Sequence, residues 1–136
     1  MAKWARLLHQ GSANYAQLEG DMLHLYQGTP FDAHAPTGET IPAATATYLT
    51  PVVPLQFLGL WNNFRERQRV EKTTTPDHPL YFAKLGDSLA AHEQRIHLPS
   101  AYTGTVKFEA ELGIVIGKRS LELDHSAVND AIFGYT

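Results

Sequence analysis

"VKFEAELGIVIGK", residues 106 to 118, is the stretch that most narrows the folds open to this chain. Counted by parity, Val106, Phe108, Ala110, Leu112, Ile114 and Ile116 fall on one side, and Lys107, Glu109, Glu111, Gly113 and Val115 on the other. That is strand periodicity with one wholly apolar face, which has to be covered by a second layer. From Gly113 onward the run is apolar on both sides, so it is expected to enter a buried interior. The opposite face sets Glu109 and Glu111 two positions apart, which on a strand points both the same way with Cα atoms about 7 Å apart. Like charges at that spacing repel unless a cation or solvent lies between them. Two flexible carboxylates can converge on one hard cation, which asks for oxygen ligands at about 2.1 Å. A solvated Glu-x-Glu on the wet face of an amphipathic strand is the plain alternative. Gly113, next on that face, removes a side chain where a ligand would need space.

Elsewhere the chain reads mainly as β with short helices, an α+β composition. "KWARLLH" and "NYAQLEGDMLHLYQG" are short strands, with Glu19-Gly20-Asp21 as a hairpin break. From Gly28 to about Thr47, Pro30, Pro36, Gly38 and Pro42 are expected to exclude long regular structure. "YLTPVVPLQFLGLW" is extended and apolar, confined by Pro51 and Pro54 to an edge or an entry segment. These features predict a small N-terminal β subdomain over residues 1–57 and a second part over residues 58–136. In the second part, "NNFRERQRVEK" predicts a short helix capped by Asn62 or Asn63, with Phe64 and Val70 as its apolar anchors. "LYFAKL" is a strand and "GDSLAAHEQ" a turn or single helical turn. Asp124 or Ser126 caps a helix that ends before a last strand, "IFGYT". No internal repeat, P-loop or GxGxxG fingerprint occurs.

Composition excludes several classes. With 136 residues, 43% of them hydrophobic and 18% charged, the chain has the make-up of a globular domain. A net charge of -3 argues against a general nucleic-acid partner. The absence of cysteine rules out a disulfide framework and thiolate metal sites, so any metal is held by oxygen or imidazole. Seven histidines are scattered without an HExxH spacing. "MAKWARLLHQG" lacks the apolar core and cleavage site of a signal peptide. No stretch approaches the roughly 18 apolar residues of a membrane span. The expected location is cytoplasmic, away from membranes.

Taken in order, "LGLWNNF", "PLYFAKLGDSLAAHEQRIHLP", "VKFEAELGIVIGKR" and "DAIFGYT" resemble the fumarylacetoacetate hydrolase family from about Leu58 to Thr136. Residues 1–57 resemble that family's small N-terminal domain only loosely. The resemblance implies a mixed β-sandwich or β-roll, a homodimer, and Mg²⁺ or Mn²⁺ held by three carboxylates. The substrate it implies is a small 2-oxo or 1,3-dicarbonyl acid, undergoing carbon-carbon bond hydrolysis, decarboxylation or isomerisation. Glu109 and Glu111 fall on the first two ligand positions. The family's third ligand is an Asp a few residues beyond the Gly-Tyr strand, so the chain is expected to be the N-terminal portion of a longer enzyme. Hydrolases of the family carry a His as general base where this chain has Arg65, which stays protonated and cannot act as an ordinary base. That counts against direct hydrolysis and leaves decarboxylase, lyase or isomerase chemistry open, with Arg65 as a fork for a substrate carboxylate or as a solvated charge. Lys84 stands where the family often has Lys, facing either the ligand or a structural carboxylate. His92, in the loop before the glutamates, is the remaining catalytic candidate, with an ordinary surface role as its alternative. Trp4 and Trp61 are simplest as core or interface residues. The competing classes are a catalytically silent fragment or subunit, and a binding domain without turnover.

Overall fold

A computed structural model describes residues 2–136. The first part is one five-stranded antiparallel sheet. Strands β1 (Lys3–His9), β2 (Ser12–Glu19), β3 (Met22–Gly28) and β4 (His34–Pro42) form a meander, and β5 (Thr47–Tyr48) pairs on the far side of β1, giving the order β4-β3-β2-β1-β5. The β2–β3 hairpin turns at Gly20 and Asp21, as the Glu19-Gly20-Asp21 break predicts. Alternation then sorts the side chains. Ala5 sits opposite Ala16, Ala16 opposite Leu25, and Leu18 and Ile41 flank Leu23, so one face collects the core of Leu7, Ala16 and Leu23. The other face carries an aromatic group, with Trp4 edge-on to Tyr26 at 4.9 Å and to His34 at 5.2 Å.

Strand β4 corrects the expected loop between Gly28 and Thr47. Pro36 and Pro42 lie within it, and the reason they are tolerated is its position at the sheet edge, where a missing N–H breaks no ladder. The register shifts between His24 and Tyr26, and Gly38 takes a φ of +85° beside that irregularity. At the other end of the turn, Gly28 has a φ of +84°, and a Cβ added there would lie 2.2 Å from the carbonyl oxygen of Ala33. Gly28→Ala combines a left-handed backbone with a collision against main chain, so it should cost the β3–β4 connection about 2 kcal/mol. Faster amide exchange in β4, with β1 and β2 less affected, is the expected readout; unchanged exchange would contradict the turn geometry.

Beyond residue 48 the elements are short. Strands β6 (Leu58–Trp61) and β7 (Leu80–Ala83) form one two-stranded antiparallel sheet, and β8 (Ile114–Ile116) pairs with β9 (Ile132–Tyr135) in another. Between them lie α1 (Arg65–Glu71), 3-10 turns at Gly86–Ser88 and His125–Ala127, and α2 (Val128–Ala131). Phe31, in the β3–β4 turn, meets Phe133 of β9 at 4.5 Å. No helix among the described residues is long and apolar enough to cross a membrane.

The start of α1 departs from expectation. Its cap is Phe64, without a side-chain hydrogen bond, and Asn62 instead adopts a positive φ of 53°. Phe64 and Val70 are exposed, and the buried anchor is polar: Gln68 is 7% exposed. Its Nε2 donates to the Asn62 carbonyl at 2.6 Å, its Oε1 accepts from the Thr75 hydroxyl at 2.8 Å, and its own carbonyl accepts from the Thr73 N–H at 3.0 Å. A helix of seven residues is too short to stand on propensity, and this knot ties it to both flanking loops. Asp124 precedes the 3-10 turn at His125–Ala127, again without a side-chain cap bond, and α2 begins only at Val128.

The glutamate segment departs furthest. Only Ile114–Ile116 of the predicted strand pairs, and Val106–Leu112 has no strand partner among the described residues. A strand is a property of a pair, because its N–H and C=O groups must be satisfied by a neighbour. The buried interior expected after Gly113 is likewise absent here, since Ile114 and Ile116 are exposed and Phe108 is 100% exposed. The space a side chain would take at Gly113 is filled by Thr136: the Gly113 N–H donates to the Thr136 carbonyl at 2.7 Å, and an added Cβ would meet the Thr136 methyl at 2.7 Å.

Candidate functional site

Glu109 and Glu111 lie on the irregular stretch leading into β8, and both are exposed. Arg67, on α1, donates from Nη1 to Glu109 Oε1 at 2.6 Å, and from Nε to Glu71 Oε1 at 3.1 Å. Its guanidinium also lies 5.7 Å from the centre of the Trp61 ring. The positive charge that the paired glutamates call for is therefore present, supplied by an arginine. Sequence reasoning passes over Arg67, because nothing local marks a contact across 42 positions.

The other candidates stand apart from the glutamates. Arg65 takes no part in the ion pairs of its neighbours, where Arg67 binds Glu71 and Arg69 binds Glu66. The Arg69 guanidinium, 2.5 Å from Glu66, holds that carboxyl below its usual range. Lys84 follows β7 and sets its Nζ over the rings of Phe57 and Phe82, at 5.2 and 5.8 Å, while its N–H donates to the Phe57 carbonyl at 2.8 Å. His92 meets Tyr48 edge-on at 5.8 Å and lines a cavity of about 430 Å³ with Trp4, Arg6, Leu23, Tyr48 and Thr136. No hydrogen bond or ion pair among the described residues joins Arg65, Lys84 or His92 to either glutamate. The geometry thus brings together Glu109 and Arg67, and leaves the three catalytic candidates on separate elements.

As donors, Glu109 and Glu111 have the chemistry of a hard-cation site: two oxyanions, exposed and two positions apart. Their number is short of a full set, since no group of three or more His, Cys, Asp or Glu converges among the described residues. They could hold one side of an ion whose remaining positions are filled by other oxygens.

Residues 52–136 match the family described as fumarylacetoacetate (FAA) hydrolase C-terminal. The chain belongs to the fumarylacetoacetate hydrolase family. Residues 2–51 match a second description, Rv2993c-like, N-terminal. Protein Rv2993c of Mycobacterium tuberculosis is 29% identical over 107 residues, covering 79% of this chain and 40% of that protein. Oxaloacetate tautomerase Fahd2a, mitochondrial, of Rattus norvegicus is 27% identical over 97 residues, covering 71% of this chain and 31% of the relative. Among solved structures, Cg1458 with inhibitor superposes with a TM-score of 0.84 at 23% identity, over 99% of this chain and 53% of that one. The 2-hydroxyhepta-2,4-diene-1,7-dioate isomerase from Mycobacterium marinum superposes at 0.79 and 23% identity, over 99% and 52%. The chain therefore has the fumarylacetoacetate hydrolase fold, mainly β with short helices, and spans about half the length of those solved chains and less of the curated relatives. The expectation raised by "VKFEAELGIVIGKR" and its flanks holds at the level of family and fold.

Proposed function

We propose that the protein is a metal-dependent enzyme of the fumarylacetoacetate hydrolase family acting on a small 2-oxo or 1,3-dicarbonyl acid. Isomerisation or decarboxylation fits better than hydrolysis. The family match across residues 52–136, which includes Glu109 and Glu111, carries this reading. Two relatives named as oxaloacetate tautomerases point toward keto-enol chemistry on a short dicarboxylic acid.

In this reading Glu109 and Glu111 would hold Mg²⁺ or Mn²⁺ as oxygen donors. Held there, such an ion would supply Lewis acidity for the negative charge that develops on the acid. Arg65, without a carboxylate partner among the described residues, offers a guanidinium fork to a substrate carboxylate. It cannot take a proton, so a hydrolytic step that needs a base on this helix is disfavoured. Lys84, with its Nζ over the Phe57 and Phe82 rings, is a second cation for an anionic substrate, and His92 is an imidazole lining the cavity. A cytoplasmic homodimer is part of this reading, and the exposed apolar side chains of β6, β7 and β8 offer a partner a surface to cover.

A catalytically silent subunit or binding domain is the second reading, favoured by the Arg67 pair on Glu109. Metal titration separates the two. In the intact protein, Glu109→Ala with Glu111→Ala should weaken Mn²⁺ binding by more than the roughly 10- to 100-fold that loss of an outer-shell partner costs. Oxaloacetate tautomerisation should disappear with it. Equal Mn²⁺ affinity in the wild type and the double variant would remove the metal assignment.

A further inference from the structure

The Arg67–Glu109 pair is the one side-chain hydrogen bond among the described residues that ties residues 106–113 to another element. Its setting makes it easy to exchange. Both side chains are partly exposed, so the pair is weakly held on balance. Arg67 also donates from Nε to Glu71, a bond that does not depend on Glu109, so release leaves no orphaned guanidinium. Glu109, released in turn, lies two positions from the like charge of Glu111, and a divalent ion would offer the two carboxylates twice the charge of a guanidinium.

We propose that Arg67 is a placeholder on Glu109, displaced when a divalent cation binds, so that loading the ion uncouples α1 from the segment carrying the glutamates. The inference rests on the reading of Glu109 and Glu111 as ligands given above. Arg67 touches neither substrate nor reacting atoms in this role. It shields the carboxylate pair before the ion arrives and sets how tightly the ion is held. Trp61 reports the exchange, because its cation neighbour moves when Glu109 lets go.

The test titrates Mn²⁺ into the intact protein, following free Mn²⁺ by electron paramagnetic resonance and tryptophan emission in parallel. Arg67→Gln removes the charge, and Arg67→Met removes it while keeping an apolar stem against Trp61. Both should bind Mn²⁺ about two- to fivefold more tightly than the wild type, the range an exposed ion pair can hold back. The Mn²⁺-induced change in emission should be present in the wild type and lost in Trp61→Phe and in both Arg67 variants. In a Glu109→Gln background, Arg67→Gln should have no further effect on affinity. Affinities in the Arg67 variants equal to or weaker than wild type would overturn the proposal. If the Glu109→Ala, Glu111→Ala variant loses Mn²⁺ while the Arg67 variants match the wild type, this inference alone fails. If that double variant binds Mn²⁺ normally, the ligand reading itself fails.

Discussion

Leu23→Ala should loosen the N-terminal sheet by about 3–4 kcal/mol, read as amide exchange in β2, β3 and β4 roughly a hundred- to a thousandfold faster. Leu23 is 0% exposed and lies between Leu18 of β2 and Ile41 of β4, with its strand hydrogen-bonded on both sides. Truncation loses the transfer free energy of the removed methyl and methylene groups. It also leaves a cavity that two fixed neighbouring strands cannot collapse to fill. Leu8→Ala is the matched control, since Leu8 points to the opposite, exposed face of β1. It should change exchange by less than a few-fold. Equal effects at Leu8 and Leu23 would show that the core does not lie on the face described.

The 136-residue chain made alone should self-associate and bind a dye specific for exposed apolar surface. Among the described residues few apolar ones are buried: Leu7, Ala16, Leu23 and Leu25 in the first sheet, and Ala131 in α2. After residue 51 the large apolar side chains stand largely in solvent, including Leu58 and Leu60 of β6, Phe82 of β7, Ile114 and Ile116 of β8, and Leu121 at 84% exposure. Sheets β6–β7 and β8–β9 have two strands each. A two-stranded ribbon is marginal in water unless another layer covers it, and uncovered edges and apolar faces recruit further chains. Sedimentation at micromolar concentration should show species larger than a monomer. A monodisperse monomer with one cooperative melt would contradict this.

Local pattern was enough wherever neighbours in sequence are neighbours in space. Strands β1 to β3 alternate, a Gly-Asp turn joins two of them, and the meander needs no distant information. The Glu-x-Glu motif and its flanks were likewise sufficient to place the chain in its family. Strand β4 was hidden because prolines argue against strands in general, and only the order of strands in the sheet reveals that it sits at an edge. The helix from Arg65 to Glu71 was legible as a helix, yet its anchor was not. Gln68 is held by Asn62, Thr73 and Thr75, contacts that depend on how two loops fold back.

The amino-acid order by itself determined which residues of the first sheet alternate and where its hairpin turns fall, because these follow from backbone geometry within a few residues. Tertiary structure alone decided what those carboxylates meet. Glu109 finds Arg67 at 2.6 Å, Gly113 finds Thr136, and Val106–Leu112 finds no pairing strand among the described residues. Hydrogen bonds and charges are satisfied by whatever the fold brings near, and a contact spanning 42 positions leaves no trace in local periodicity.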